Sequence, residues 1–468
     1  MKAKELDQKA GIGADAGAEE VTLTPHQQSA YDLLERFAVG GEDRLLAVLI
    51  GYAGTGKTTL IARLVRALSA RIKIAVAAPT NKAVAVLAEK IGVDSIHASS
   101  IHSLLGLKLS EQENGEAHCE QDGEASLHEF QLVIVDEASM VGTDLFRYIM
   151  LHKRGCRVLF VGDPAQLPPV GEAEASPVFR MVDHKVMLSE VVRQAAGNPI
   201  IGLSMQIRRW IEDDRRPSSV DLAAAIAPTA GREASVVPGD AETIRNFATY
   251  VIKEEGHSCR VISFTNRAVV AHNDAIHFKV HGPTPYPFCE GEIVIAQEAF
   301  KARLLGSPLS VDVLNSSELT VVSVQPGRHE KFQEIEALRV ALRDDADRMI
   351  ECFIPANQVQ FDSVLADGWR RWRAAKTEAQ AASDNRRDDA PTLLRKAREI
   401  SSENWARKRA FAPIRHAYAV TAHKSQGSTF DTVIVDLNDL AKMKSAFDFN
   451  RALYVAATRA AKHMAIVV

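Results

Sequence analysis

Leu45-Leu-Ala-Val-Leu-Ile-Gly51-Tyr-Ala-Gly-Thr-Gly-Lys57-Thr58 is an apolar run, a glycine-rich turn and the start of a helix, in that order. An apolar run with no polar alternation suits a strand covered on both faces. Gly51 to Thr58 fits the spacing GxxxxGK[ST]. Its glycines let backbone N–H groups turn inward around a phosphate, and the following helix adds the positive end of its dipole. Lys57 is placed to reach the β- and γ-phosphates, and the Thr58 hydroxyl suits Mg²⁺. ATP and Mg²⁺ are therefore the expected cofactors. Gly51, Ala53, Gly54, Thr55, Gly56, Lys57, Thr58 and Thr59 are the expected nucleotide contacts.

The same grammar repeats outward. Ile74–Ala78, Leu132–Val135 and Val158–Val161 are further continuous apolar runs, and Lys57–Ala70 and Asn81–Lys90 read as helices. Alternation of this kind predicts a parallel sheet with helices on both faces. One run ends in Asp136-Glu137-Ala-Ser. Beside a phosphate loop, Asp136 suits Mg²⁺ and Glu137 suits orienting and deprotonating a water. The next run exits into Gly162-Asp163-Pro-Ala-Gln166-Leu-Pro-Pro. There Gln166 is offered to the γ-phosphate or the attacking water.

Bulk composition excludes other classes. The chain has 468 residues, 46% hydrophobic and 25% charged, which is globular usage and enough for several domains. No uncharged apolar stretch reaches the length of a membrane span. The acids of the first twenty residues argue against a leader and predict a loose tail over residues 1–22. Five scattered cysteines without a CxxC spacing argue against disulfides or a zinc site and for a reducing cytoplasm.

Two soft stretches break the pattern. Glu111–Phe130 holds seven acids and neither Lys nor Arg, and reads as an exposed excursion turning at Gly115 or Gly123. Asp213–Asp240 is rich in Pro, Ser, Gly and Ala and reads as a joint between two bodies. A second α/β body opens at Arg260–Phe264 and resumes at Tyr418–Val420, Thr432–Val435 and His463–Val468. Between its halves, short β-like runs at Glu292–Ala296, Leu319–Val324 and Ile350–Ile354 suggest a small barrel or sheet. Asp362–Ala410 reads as helical and basic, and contains Trp369, Trp372 and Trp405. Packing of the two i, i+3 tryptophans within the arm is the expectation there, ahead of base stacking.

The phosphate loop, Asp136-Glu137-Ala-Ser, the Gly162–Pro169 segment, Ser263-Phe-Thr-Asn266, Val420-Thr-Ala-His-Lys-Ser-Gln-Gly427 and Tyr454-Val-Ala-Ala-Thr-Arg459 follow one another in an order that resembles superfamily 1B helicases of the RecD and Dda branch. The resemblance runs from about Leu23 to the C-terminus. It implies an α/β fold of two RecA-like P-loop cores with parallel sheets, an inserted small β-barrel and a helical arm. Residues 23–195 would form the first core, with a pin-like excursion at about 107–130. Residues 196–290 and 413–468 would form the second core, 291–361 the barrel and 362–412 a basic tower-like arm.

Site roles follow from the same resemblance. Leu23-Thr-Pro-His-Gln27 is similar to a Q motif, which would set Gln27 on the adenine. Arg193 resembles an arginine that contacts the γ-phosphate, and Arg459 an arginine finger. With Lys57, Asp136, Glu137 and Gln166 these are the expected catalytic set. Gly427 and Gln426 would couple nucleotide to DNA. Pro79, Thr80, Asn81, Ser100, His102, Thr265, Asn266, Thr421 and His423 would line a single-strand track, using small polar groups that suit phosphates. The implied activity is ATP-dependent unwinding, 5′-to-3′, on single-stranded and forked DNA. Partners would be replication or recombination proteins, with no membrane. An ATP-switched nucleic-acid clamp and a RecD-type subunit of a recombination complex stay open as alternatives, as does RNA as the substrate.

Overall fold

The structure, a computed structural model, describes residues 22–41, 43–93, 95–111, 117–121, 123–169, 171–172, 174–190, 199–226, 233–255, 258–385 and 387–468. The tail and Arg193 fall outside the described residues.

Six parallel strands build the first sheet, in the order His97–Ser100, Ile74–Ala78, Leu132–Val135, Arg157–Gly162, Leu46–Gly51 and Lys185–Leu188. Their side chains divide between two cores with period two. Ala47, Leu49, Val76, Ile134 and Leu159 pack against the helices Pro25–Ala38, Lys57–Leu68 and Asn81–Ile91. Val48, Ile50, Ala77, Val133 and Phe160 pack on the opposite face against Ile101, Phe146 and Ile149. Each buried Val, Leu, Ile or Phe side chain among them contributes about 1.5–3 kcal/mol. A one-residue slip would exchange both sets at once, so the register is fixed from both faces.

The acidic excursion is a two-stranded antiparallel hairpin, Leu107–Glu111 with Ala117–Gln121. Of the two expected turning points, Gly115 lies outside the described residues and Gly123 follows the second strand. The excursion is shorter than the sequence suggested. Leu127 and Phe130 lie in the core, with a 3-10 turn at Leu127–Glu129.

A second parallel sheet runs Ala419–Thr421, Cys259–Ser263, Phe430–Asp436, Ala460–Val467, Ala234–Val237. The stretch Asp213–Asp240, expected to be a joint, supplies the edge strand of this sheet and the helix Ser219–Ile226. Its apolar residues Leu222, Ile226 and Ala234 enter the core beside Val433, Val435 and Ile466.

Between the halves of this sheet lies a curled antiparallel sheet of seven strands. One apolar face is built by alternation from Val294, Leu319, Val321, Val340, Leu342, Ile350, Cys352 and Ile354. Its last strand, Ile414–His416, comes from beyond the arm and pairs with Ile293–Ala296. The arm is two helices, Gln358–Asp384 and Ala390–Arg409. Gly368 lets them approach closely, since a Cβ there would collide with the Asn404 amide, which donates to Leu365 O at 3.1 Å. Trp369 packs edge-to-face on Trp372 and on Trp405, with centroids 6.1 and 5.1 Å apart, so the tryptophans pack the arm.

Candidate functional site

The phosphate loop sits at the C-terminal end of Leu46–Gly51 and passes into the helix Lys57–Leu68. Gly54 and Gly56 take φ of 79° and 83°, a region that favours glycine. Gly51 has no room for a side chain, since a Cβ would lie 2.7 Å from Thr55 Oγ1. Lys57 Nζ donates to Gly51 O at 2.7 Å and Tyr52 O at 2.9 Å. Burial pulls this ammonium below its usual range, against the attraction of Asp163, Asp136 and Glu137. A group that leans on neutral carbonyls while facing three carboxylates is one that a polyphosphate would satisfy better. Thr58 is partly buried and Thr59 is exposed.

The acids follow the neighbouring strand. Asp136 Oδ1 accepts from Glu137 N at 2.8 Å, and burial raises the Asp136 carboxyl. Glu137 has φ of 52°, the left-handed region, which costs a side-chain-bearing residue of order 1–3 kcal/mol. Burial first, and then the charge of Asp136, push its carboxyl up to about 7. That value suits a group that must accept a proton near neutrality.

Arg459 reaches this cleft from the second sheet's side. It ends the helix Ala446–Arg459 and is buried, its guanidinium donating to Val455 O, Ser428 O and Thr458 Oγ1. Burial lowers its basicity, and Glu137, Tyr454 and Asp163 work against that. Gly427 stands opposite Glu137: a Cβ on it would lie 3.7 Å from Glu137 Oε1. Lys57, Asp136, Glu137, Gly427 and Arg459 therefore meet in one cleft.

Gly162–Pro169 closes the cleft as a latch. Asp163 is fully buried. Its Oδ1 accepts from Arg208 Nη1 at 2.6 Å and Ala165 N at 3.0 Å, and its Oδ2 accepts from Tyr454 Oη at 2.5 Å. Tyr454 Oη also accepts from Ala53 N of the phosphate loop at 3.4 Å. Arg208 lies 3.6 Å from the centre of the Tyr52 ring. Gln426 Nε2 donates to Leu167 O at 3.2 Å. Gln166 Oε1 meets Ser139 Oγ at 3.5 Å. Sequence reading missed Arg208 and did not single out Tyr454. The signal for Arg208 was available: it falls in the apolar stripe Ile200, Leu203, Ser204, Ile207 of the helix Pro199–Glu212, where a cation needs a buried partner.

Gln27, expected on the adenine, also has a structural role. It closes a capping box with Thr24, and its Nε2 donates to Thr55 O at 3.0 Å. Its amide braces the phosphate loop.

The expected strand-track residues lie just beyond the carboxyl ends of parallel strands, where open α/β sheets bind ligands. Pro79, Thr80 and Asn81 follow Ile74–Ala78, and Thr80 caps the next helix through Ala83 N. Thr265 and Asn266 follow Cys259–Ser263 in the same way, with Thr265 capping through Ala268 N. The Thr265 hydroxyl is also held by Asp439 at 3.0 Å. Ser100 caps the turn that carries His102, and Thr421 Oγ1 accepts from Lys424 N. Burial lowers the basicity of His102 and of His423.

Two family descriptions match: AAA domain over residues 22–222 and UvrD-like helicase C-terminal domain over residues 416–467. The ATP-dependent DNA helicase Dda of Enterobacteria phage T4 is 30% identical over 310 residues, 64% of this chain and 66% of that protein. The ATP-dependent RecD2 DNA helicase of Deinococcus radiodurans is 38% identical over 160 residues, 33% of this chain and 21% of that protein. A solved structure of Pif1 helicase, from work on unwinding of forked duplex DNA by two coordinating copies, matches in fold. It has a TM-score of 0.51 at 17% identity and covers 96% of this chain and 92% of that one. With the phosphate loop, the acidic pair and the latch in one cleft, these sequence matches show that the chain belongs to the superfamily 1B helicases, on the RecD and Dda branch.

Proposed function

We propose that this chain is an ATP-driven motor that travels along single-stranded DNA and separates the duplex ahead. Two bodies, residues 23–195 and residues 196–290 with 413–468, grip ATP between them. Residues 291–361 and 362–412 form an inserted sheet unit and a basic arm. One observation carries the reading most: Tyr454 and Arg459, on one helix of the second body, converge on the acids of the first.

Lys57 exchanges its loop carbonyls for the β- and γ-phosphates. Thr58 and Asp136 offer hard oxygen donors that fit Mg²⁺ and would hold it. Bound there, the ion neutralises phosphate charge. Glu137 orients a water and takes its proton. Gln166 sits beside Ser139 on the latch, placed to sense that water. Arg459 steadies charge on the transferring phosphoryl group only when the bodies are closed, which couples hydrolysis to closure. Closure and reopening move the capped turns at Thr80 and Thr265 relative to one another along the strand. Gln27 reads the adenine, and Gly427 and Gln426 link the nucleotide to that movement.

The resemblance implies travel from 5′ to 3′. Unwinding of duplexes with a 5′ or a 3′ tail, with ATP and with Lys57→Ala as control, tests this. The motor reading expects ATP-dependent unwinding of the 5′-tailed duplex. Nucleotide-dependent binding without strand separation on either substrate would instead mark a clamp.

A further inference from the structure

Away from the cleft, four potential metal ligands converge where the chain leaves the second parallel sheet for the antiparallel one. His277 and His281 stand at i and i+4 on the helix Asn266–His281, so their rings share a face. Cys289 and Glu292 lie on the crossing that follows. Cys289 N donates to Glu292 Oε2 at 2.9 Å, and Glu292 N donates to Cys289 O at 3.1 Å, so the two close one turn on each other. One donor atom from each of the four residues lies within 4.8 Å of all the others.

Surrounding groups resemble the outer shell of a metal site. Glu292 is fully buried and its Oε1 meets His277 Nδ1 at 3.0 Å and His416 Nδ1 at 2.6 Å. His416 lies on the strand that returns from the arm and stacks on His277 with centroids 4.5 Å apart. His281 Nε2 meets Tyr418 Oη at 3.1 Å. A cavity of about 520 Å³, lined by His277, Thr284, Tyr286 and His416 among others, opens beside the cluster and gives an ion a way in.

We propose that His277, His281, Cys289 and Glu292 form a structural zinc site. The donor set is two nitrogens, one sulfur and one oxygen, the mixture that suits a tetrahedral borderline ion. Tetrahedral zinc places its donors about 3.3–3.8 Å apart, given bond lengths near 2.0–2.3 Å. The present spread therefore closes by a shift on the order of 1 Å, within the reach of small side-chain rotations. Charge also balances. One Cys thiolate, one Glu carboxylate and two neutral imidazoles around Zn²⁺ sum to zero, which a partly buried site favours. His416 then serves as the positioning group that holds Glu292. Cysteine spacing gives no hint of this site, because three of its four ligands are not cysteines. Its effect would be to pin the helix of the second parallel sheet to both crossings into the antiparallel sheet.

The test uses the full chain, stripped with a chelator and titrated with Co²⁺ while Mg²⁺–ADP occupies the phosphate loop. One equivalent should bind, with intense visible bands of four-coordinate cobalt and a near-ultraviolet thiolate-to-cobalt band. Zn²⁺ should displace it and raise the melting temperature. Cys289→Ser should remove the near-ultraviolet band, and His281→Ala should remove tight binding. Should those variants not fold, alkylation of the parent mapped by peptide provides an independent readout, because Zn²⁺ should protect Cys289 selectively. A weak six-coordinate spectrum, a thiolate band that survives Cys289→Ser, or Cys289 alkylation indifferent to Zn²⁺ would each overturn the site.

Discussion

Tyr454→Phe removes one oxygen atom from the latch and leaves the ring. The lost hydroxyl donates to Asp163 Oδ2 at 2.5 Å and accepts from Ala53 N at 3.4 Å. Asp163 has no exposed surface, so water cannot replace the donor without opening the site. A hydrogen bond to a charged group contributes about 1.5–3 kcal/mol. The other strong donor to Asp163, Arg208, keeps its place on Oδ1 at 2.6 Å, so only Oδ2 is left without its donor. Tyr454 lies on the second body, and the Asp163 and Ala53 atoms that its hydroxyl bonds lie on the first, while Arg208 beside it belongs to the second. The loss therefore falls on the closed arrangement more than on either fold. At about 1.4 kcal/mol per factor of ten, closure weakens roughly 10- to 100-fold. Steady-state ATPase with saturating single-stranded DNA should show a matching fall in stimulated kcat, with the unstimulated rate and the melting temperature changed much less. Stimulated turnover equal to the parent would refute the latch. Equal losses with and without DNA would show that the hydroxyl serves the phosphate loop alone.

Other outcomes follow from the same cleft. Glu137→Gln should still bind labelled ATP but turn it over on the order of a hundredfold more slowly, as expected when a general base is removed; rapid turnover would end that role. Because the Glu137 carboxyl is pushed up to about 7 from 4.5, the folded state holds its proton more tightly than the unfolded chain. Its contribution to stability should therefore fall as pH rises from about 4.5 to about 7 and level off above, and Glu137→Gln should remove that slope from melts recorded across this range. Arg459→Ala should lose DNA-stimulated hydrolysis with little change in ATP affinity, measured by turnover and nucleotide titration; the opposite split would make it a ground-state binder. Affinity for homopolymer strands should fall steeply with KCl and vary little with base, since the contacts proposed at Thr80, Asn81, Thr265 and Asn266 go to phosphates; a flat salt response would contradict them.

Much of this was legible because the parallel-sheet strands are buried on both faces. Leu46–Gly51 and Leu132–Val135 read as unbroken apolar runs, and the loops after them carry motifs with fixed spacing. The latch was less legible. Asp163 and Tyr454 are far apart in sequence, and nothing local says that a tyrosine hydroxyl of one body meets a carboxylate of the other. Arg208 reads as one of two adjacent surface arginines until the apolar stripe around it is counted. Asp213–Asp240 misled because small and polar residues look like a joint, while the strand within it, Ala234–Val237, is short and gains its partner only from Ala460–Val467. The hairpin at 107–121 was overextended in sequence because Leu127 and Phe130 are isolated apolar residues among acids. His277, His281, Cys289 and Glu292 stayed invisible as a group because their convergence depends on the helix end and the crossing folding back on each other.

The interleaved order of the second sheet has a consequence for synthesis. Cys259–Ser263 is flanked by Ala419–Thr421 and Phe430–Asp436, and Ala234–Val237 pairs with Ala460–Val467. Both early strands thus wait for partners made after the antiparallel sheet and arm: Cys259–Ser263 for Ala419–Thr421 and Ala234–Val237 for Ala460–Val467. At about 5–20 residues per second this delay is roughly ten to forty seconds. Throughout it, two apolar strands have bare edges while the first sheet, whose strands all lie before residue 190, can already be complete. The nascent chain is therefore most vulnerable to edge-to-edge aggregation in its middle third. Slower translation of the insertion, or fewer chaperones able to cover those strands, should reduce the yield of folded protein far more than equal delays in the first two hundred residues.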